Sequence, residues 1–155
     1  MPSNSETAQM EDAGDSNFRA KDHLRMDGSA VFNFVQTEVP PLIETLLETT
    51  GVTKEAIDFY LCHQPNQFML QKLADKMGIP YAKMPMNVVG KYGNSSGVTI
   101  PSAIALNLSS SLKKSSLQVV LAGFGVGLTW ASMLLKIGPL DFCETIDLPN
   151  KANLP

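Results

Sequence analysis

Three short stretches hold residue types that can do chemistry. The first is "LCHQPNQFML", residues 61 to 70, where Cys62 and His63 stand side by side at the end of an apolar run. A thiol beside an imidazole suggests nucleophilic catalysis, because the thiolate is the attacking form and a nearby base can generate it. The spacing argues otherwise. Neighbouring residues of a strand point to opposite faces, whereas a nucleophile and its base must share one. Cys62 is therefore expected to be a small buried hydrophobe. Cys143, near the terminus and without a histidine neighbour, is expected to be structural or incidental. His63 ends a predicted buried strand, and open α/β sheets bind ligands at that edge. Its other reading is a buried imidazole satisfied by backbone.

The second stretch is "KYGNSSG", residues 91 to 97. Gly93 permits an unusual backbone angle, Asn94 offers an amide donor, and Ser95 and Ser96 are candidate caps for a following helix. The third is "GFGVG", residues 123 to 127. Glycines between two buried strands let backbone N–H groups face a cavity, as an oxyanion site requires; a tight hairpin needs the same glycines. No Lys-Ser or Lys-Thr follows, so this is not a phosphate loop.

The elements that must position these stretches follow from periodicity. Apolar residues at 31, 35, 39, 42 and 46 predict a helix over 29–51, kinked or broken at Pro40 and Pro41 and capped by Gly51. "IDFYLCH" predicts a buried strand, and "NQFMLQKLADKMG" a helix ending at Gly78. Residues 79–97, with two prolines and three glycines, read as loop. A third helix is predicted over 98–114, then strands 117–124 and 128–137 joined by "GVG". Alternating elements followed by a hairpin describe an α/β layer on a mixed sheet. Residues 1–20 are polar and read as a mobile arm or linker remnant.

Composition narrows the function classes. In 155 residues, 44% hydrophobic and 17% charged, one domain with one real core is expected. A net charge of -3 gives no signal for nucleic acid or an anionic membrane. Two cysteines without a paired pattern argue against a disulfide framework or structural zinc and suit a reducing, cytoplasmic setting. No apolar run approaches the ~20 residues of a membrane span.

Taken in order, "HQPN" (63–66), "GNSSGVTIP" (93–101) and "GFGVGLTWAS" (123–132) resemble the C-terminal half of the β-ketoacyl-acyl carrier protein synthase III family, in the thiolase superfamily. "MDGSAVFNF" (26–34) looks like the segment that opens this half. The resemblance runs from about Leu24 to Ile137. It implies a thiolase-like α/β half-domain, a five-stranded mixed sheet with helices on its faces, with residues 22–26 as the strand before the first helix. Residues 1–22 would be arm, 23–140 the domain and 141–155 a tail.

The resemblance also implies a transferase that condenses an acyl primer with a malonyl thioester, losing carbon dioxide. Its substrates arrive as coenzyme A or acyl carrier protein thioesters, with no other cofactor and no metal. By motif match His63 and Asn94 are catalytic, and the N–H of Val126 is the backbone oxyanion donor. Gly28, Phe32 and Asn66 match the wall of the pantetheine tunnel. The third member of a Cys-His-Asn triad belongs to an N-terminal half that this chain does not contain. The chain alone is accordingly expected to be inactive, to expose an apolar patch and to associate with itself or with that half, the full-length enzyme being a homodimer. The alternative is a non-catalytic module that binds acyl thioesters or carrier protein, or a partner subunit of a split enzyme. Two departures bear on carrier protein as a partner. Phe68 stands where many members have a contacting arginine, and the net charge of -3 disfavours an acidic partner, leaving Lys72, Lys76, Lys83 and Lys91 to supply a local basic patch.

Overall fold

A computed structural model of the chain describes residues 4–14, 17–23, 26–125 and 127–147. The chain divides into two compact units after Val31. In the first, β1 (Met10–Asp12) pairs antiparallel with β2 (Phe18–Ala20), Met10 opposite Ala20. Asp12 Oδ1 accepts the Gly14 N–H at 2.9 Å, and Gly14 turns the chain with a φ of 87°. A polar stretch that predicts a mobile arm therefore contains a short ribbon, whose turn is built from residues that also mark disorder. Of the strand expected over 22–26, Asp22 and His23 lie in a turn and bend, and Leu24 and Arg25 lie outside the described residues.

Helix α1 (Gly28–Thr50) starts behind Asp27, whose Oδ1 accepts the Ala30 N–H at 2.9 Å. Val35, Val39, Ile43 and Leu47 form its buried stripe at four-residue spacing. The helix does not end at the proline pair; Pro40 and Pro41 lie inside it. Each proline deprives a carbonyl four residues earlier of its partner. For Pro40 that carbonyl is Gln36, and Lys76 Nζ donates to it at 2.6 Å. The Gln36 side chain in turn donates to the Met69 carbonyl at 3.1 Å. Packing against the next helix thus supplies what the local sequence removes. Gly51 ends α1 with a φ of 68°, and the Val52 N–H returns to the Leu47 carbonyl at 3.1 Å.

The chain continues through β3 (Phe59–Cys62), α2 (Gln67–Met77), α3 (Val88–Tyr92), α4 (Thr99–Leu112), β4 (Leu117–Gly125) and β5 (Thr129–Ile137). β3 runs parallel to β4, with Phe59 opposite Val119, and β5 is antiparallel to β4, with Leu117 opposite Ile137. In place of one five-stranded sheet, the five strands among the described residues are divided between this three-stranded mixed sheet and the two-stranded ribbon. A parallel pair needs a crossover, and the β3–β4 connection is the one that forms here.

Leu61 and Val119 pack with Ala103, Leu108 and Leu112 of α4 on one face of the sheet. Alternation turns Trp130 to the other face, where its ring meets Phe34 of α1 edge-on at 5.0 Å. Helices on both faces make this a layered α/β fold. β5 forms one edge, and Leu128, Trp130 and Met133 beside or on it are 48%, 43% and 53% exposed.

Residues 79–97, read as loop, hold α3 and short 3-10 turns at Tyr81–Lys83 and Ser96–Val98. Their order comes from Gln64, which is fully buried. Its Nε2 donates to the Pro85 carbonyl at 2.6 Å, and its Oε1 accepts the Val88 N–H at 3.0 Å. Downstream, Ser109 Oγ donates to the Cys143 carbonyl and Lys113 pairs with Glu144, tying residues 143–144 to α4.

Gly78 closes α2 with a φ of 65°, its N–H reaching the Ala74 and Asp75 carbonyls. A left-handed alanine costs roughly 1–2 kcal/mol. Gly78→Ala is expected to lower unfolding stability by about that much in urea titration, and an unchanged midpoint would contradict the cap.

Candidate active site

His63 lies one residue past β3 and extends its ladder, its N–H donating to the Ala122 carbonyl at 2.8 Å. Its ring is half-buried. The Nδ1 atom sits 2.7 Å from Thr99 Oγ1, at the start of α4. The Phe124 ring of β4 packs against it edge-on at 5.5 Å. All three motif stretches thus meet at this imidazole: its own, the one before α4, and the glycine-rich end of β4.

Asn94 is exposed and makes a local turn, its Oδ1 accepting the Ser96 N–H at 3.0 Å. With the oxygen held, the –NH2 group has no partner among the described residues and is free to donate. Gly93 takes φ 72° and ψ -173°, a combination essentially confined to glycine. Ser96 has a φ of 56°, which no other described non-glycine residue shares in sign. The serines do not cap α4 with their side chains. Ser96 acts through its backbone instead: its N–H holds Asn94 and its carbonyl accepts the Thr99 hydroxyl at 3.0 Å. A continuous set of bonds therefore runs from Asn94 through Ser96 and Thr99 to His63.

Burial holds His63 below the ordinary histidine value of 6.5, partly offset by the neighbouring Ser96 backbone. The imidazole is accordingly neutral at pH 7. Cys62 is 1% exposed, and burial pushes its thiol up to about 12. It cannot supply thiolate at neutral pH.

The other expected site residues are distributed as follows. Phe32 stacks on the exposed Phe68 ring, centroids 5.8 Å apart, with Lys72 Nζ 5.7 Å from the Phe68 centroid. Asn66 caps α2, its Oδ1 accepting the Met69 N–H at 2.7 Å, and its –NH2 group remains at the surface. Gly28 opens α1 and belongs to the N-terminal unit. Val126 lies outside the described residues. Lys76 is bonded to the Gln36 carbonyl, Lys83 to the Glu55 and Ile57 carbonyls, and Lys72 faces Asp75 at 3.8 Å. Among the described residues no group of three or more His, Cys, Asp or Glu could hold a metal ion, and no helix is long and apolar enough to cross a membrane.

Sequence reasoning missed Gln64 and Thr99 as residues that fix this arrangement, and gave Ser96 only a capping role. Gln64 lay inside a quoted motif but carried no assigned role. Thr99 looked like an ordinary first residue of a helix.

Residues 47–137, more than half of the chain, match the family described as 3-oxoacyl-[acyl-carrier-protein] synthase III C terminal. The chain belongs to this family. Among synthase III relatives, the β-ketoacyl-[acyl-carrier-protein] synthase III of Streptococcus uberis is 42% identical over 124 residues, covering 76% of this chain and 37% of that protein. The solved 3-oxoacyl-(acyl-carrier protein) synthase of Burkholderia xenovorans superposes with a TM-score of 0.79 at 43% identity, covering 83% of this chain and 36% of the other. The synthase III of Pseudomonas aeruginosa superposes at 0.69 and 31% identity, covering 77% and 37%. The chain thus spans little more than a third of these synthases, and the thiolase-like layered α/β class is the one found.

The neutral His63 gives a pH test. The unfolded chain takes up its proton more readily than the folded one, so stability is present above pH 6.5 and falls as pH drops through the lower folded-state value. Melting temperature is expected to decline on acidification from pH 6.5, and His63→Gln is expected to remove part of that decline. A variant that melts with an identical pH profile would speak against the buried neutral imidazole.

Proposed function

We propose that this chain supplies the C-terminal half of a decarboxylating condensation site, joining an acyl primer to a malonyl thioester carried on coenzyme A or acyl carrier protein. The observation that carries this reading is the meeting of three separate motif stretches at His63. Loss of carbon dioxide breaks a carbon–carbon bond of the malonyl group and leaves its electron pair as an enolate, with charge on the thioester oxygen. In this reading two donors, the His63 ring once protonated and the Asn94 amide, stabilise that oxygen. The enolate carbon then attacks the acyl thioester and expels a cysteine thiolate. Neither cysteine of this chain suits that role, because Cys62 and Cys143 are both buried. The nucleophile in this reading comes from a separate, cysteine-bearing half. By motif match alone, Phe32, Asn66 and Gly28 are assigned to the pantetheine arm and the Val126 N–H to the acyl oxyanion.

The test mixes this chain with that half and follows carbon dioxide release from malonyl thioester. Activity is expected only in the mixture. Removing one such donor typically costs ~10²–10³ in rate, so His63→Ala and Asn94→Ala should each lower it by about that factor. Thioester binding without release of carbon dioxide would favour the non-catalytic binding module.

A further inference from the structure

Thr99 carries more than the start of a helix. The residue is 1% exposed, and its hydroxyl has three neighbours. The Gln64 N–H lies 3.3 Å away, the Ser96 carbonyl 3.0 Å and His63 Nδ1 2.7 Å. A hydroxyl has one proton and two lone pairs. A backbone N–H can only donate and a carbonyl can only accept. The Thr99 proton therefore goes to Ser96, and one lone pair takes the Gln64 N–H. What remains for His63 is a lone pair, so Nδ1 must bring the proton.

We infer that Thr99 is a positioning residue that holds His63 as its Nδ1–H tautomer and so reserves the Nε2 lone pair for the reaction. The tautomer stands on the hydrogen bonds alone; its catalytic consequence rests on the condensing reading above. A neutral ring in this tautomer cannot donate from Nε2. It becomes a donor only after Nε2 has taken a proton, and the thiol of the companion half is the group that offers one. That transfer leaves a thiolate and an imidazolium. The thiolate attacks the primer thioester, and the sulfur it expels is protonated from solvent. The ring then enters the second half-reaction charged, with Nε2–H aimed at the developing enolate oxygen. Condensation returns the cysteine as thiolate beside the same imidazolium. One tautomer thus serves both the activation of sulfur and the stabilisation of oxygen.

Side-chain nitrogen NMR on the ¹⁵N-labelled chain reads this directly, because the protein has only two histidines and His63→Gln assigns the signals. At pH 8 the wild-type ring is expected to show a protonated Nδ1 and an unprotonated Nε2. Thr99→Ser should preserve that pattern, and Thr99→Val should shift the ring toward Nε2–H. A wild-type ring already in the Nε2–H form overturns the inference whether or not any variant folds. A folded Thr99→Val with an unchanged tautomer overturns the role of the hydroxyl. In the two-part assay, Thr99→Val is expected to lower kcat on the order of tenfold, the scale of one hydrogen bond, with KM nearly unchanged and Thr99→Ser near wild type. An inactive wild-type mixture whose ring still shows Nδ1–H would fail the condensing reading and leave the tautomer assignment standing.

Discussion

The parallel pairing of β3 with β4 is the constraint from which the site follows. Parallel neighbours cannot be joined by a hairpin, so the chain must travel back along the sheet before β4 begins. Helix α4 makes that return. A helix that carries the chain back starts at the C-terminal ends of the strands, which puts Thr99 beside His63 and leaves Asn94 and Ser96 just upstream. Phe124, near the end of β4, reaches the same ring because β4 shares the direction of β3. Residues separated by some sixty positions meet as a direct result of strand direction.

Much of this was legible in the sequence. Helix α1, the span of α2 to its glycine and the limits of β4 and β5 all follow from periodicity and caps, although α1 buries Ile43 and Leu47 where the expected stripe ran through Leu42 and Leu46. The misread parts share a cause. Whether Pro40 and Pro41 end a helix depends on Lys76, and whether 79–97 is ordered depends on Gln64. Those partners lie in other elements, and no local window contains them. The ribbon at 10–20 was hidden differently, since Asp and Gly mark a tight turn and a disordered arm alike. The motif residues His63 and Asn94 were visible, but the carbonyl and hydroxyl that link them were not. Backbone groups leave no trace in composition, and a threonine at the start of a helix has commoner uses.

Cys62 and His63 illustrate how burial separates neighbours. The thiol is enclosed and stays protonated, while the imidazole one residue later is half in solvent and kept neutral. Ending the strand at Cys62 makes this division: the last ladder residue belongs to the core, and the next one to the loops that gather at the sheet edge.

Gln64 has a consequence for how the site opens. Its side chain satisfies Pro85 and Val88 from a fully buried position, and its own N–H reaches Thr99. The region around α3 therefore cannot fray alone, because releasing the Val88 N–H means withdrawing a side chain rooted beside β3. Amide exchange at Val88 reports disruption of the sheet edge rather than motion of a surface loop. The site and the sheet beneath it form a single cooperative unit.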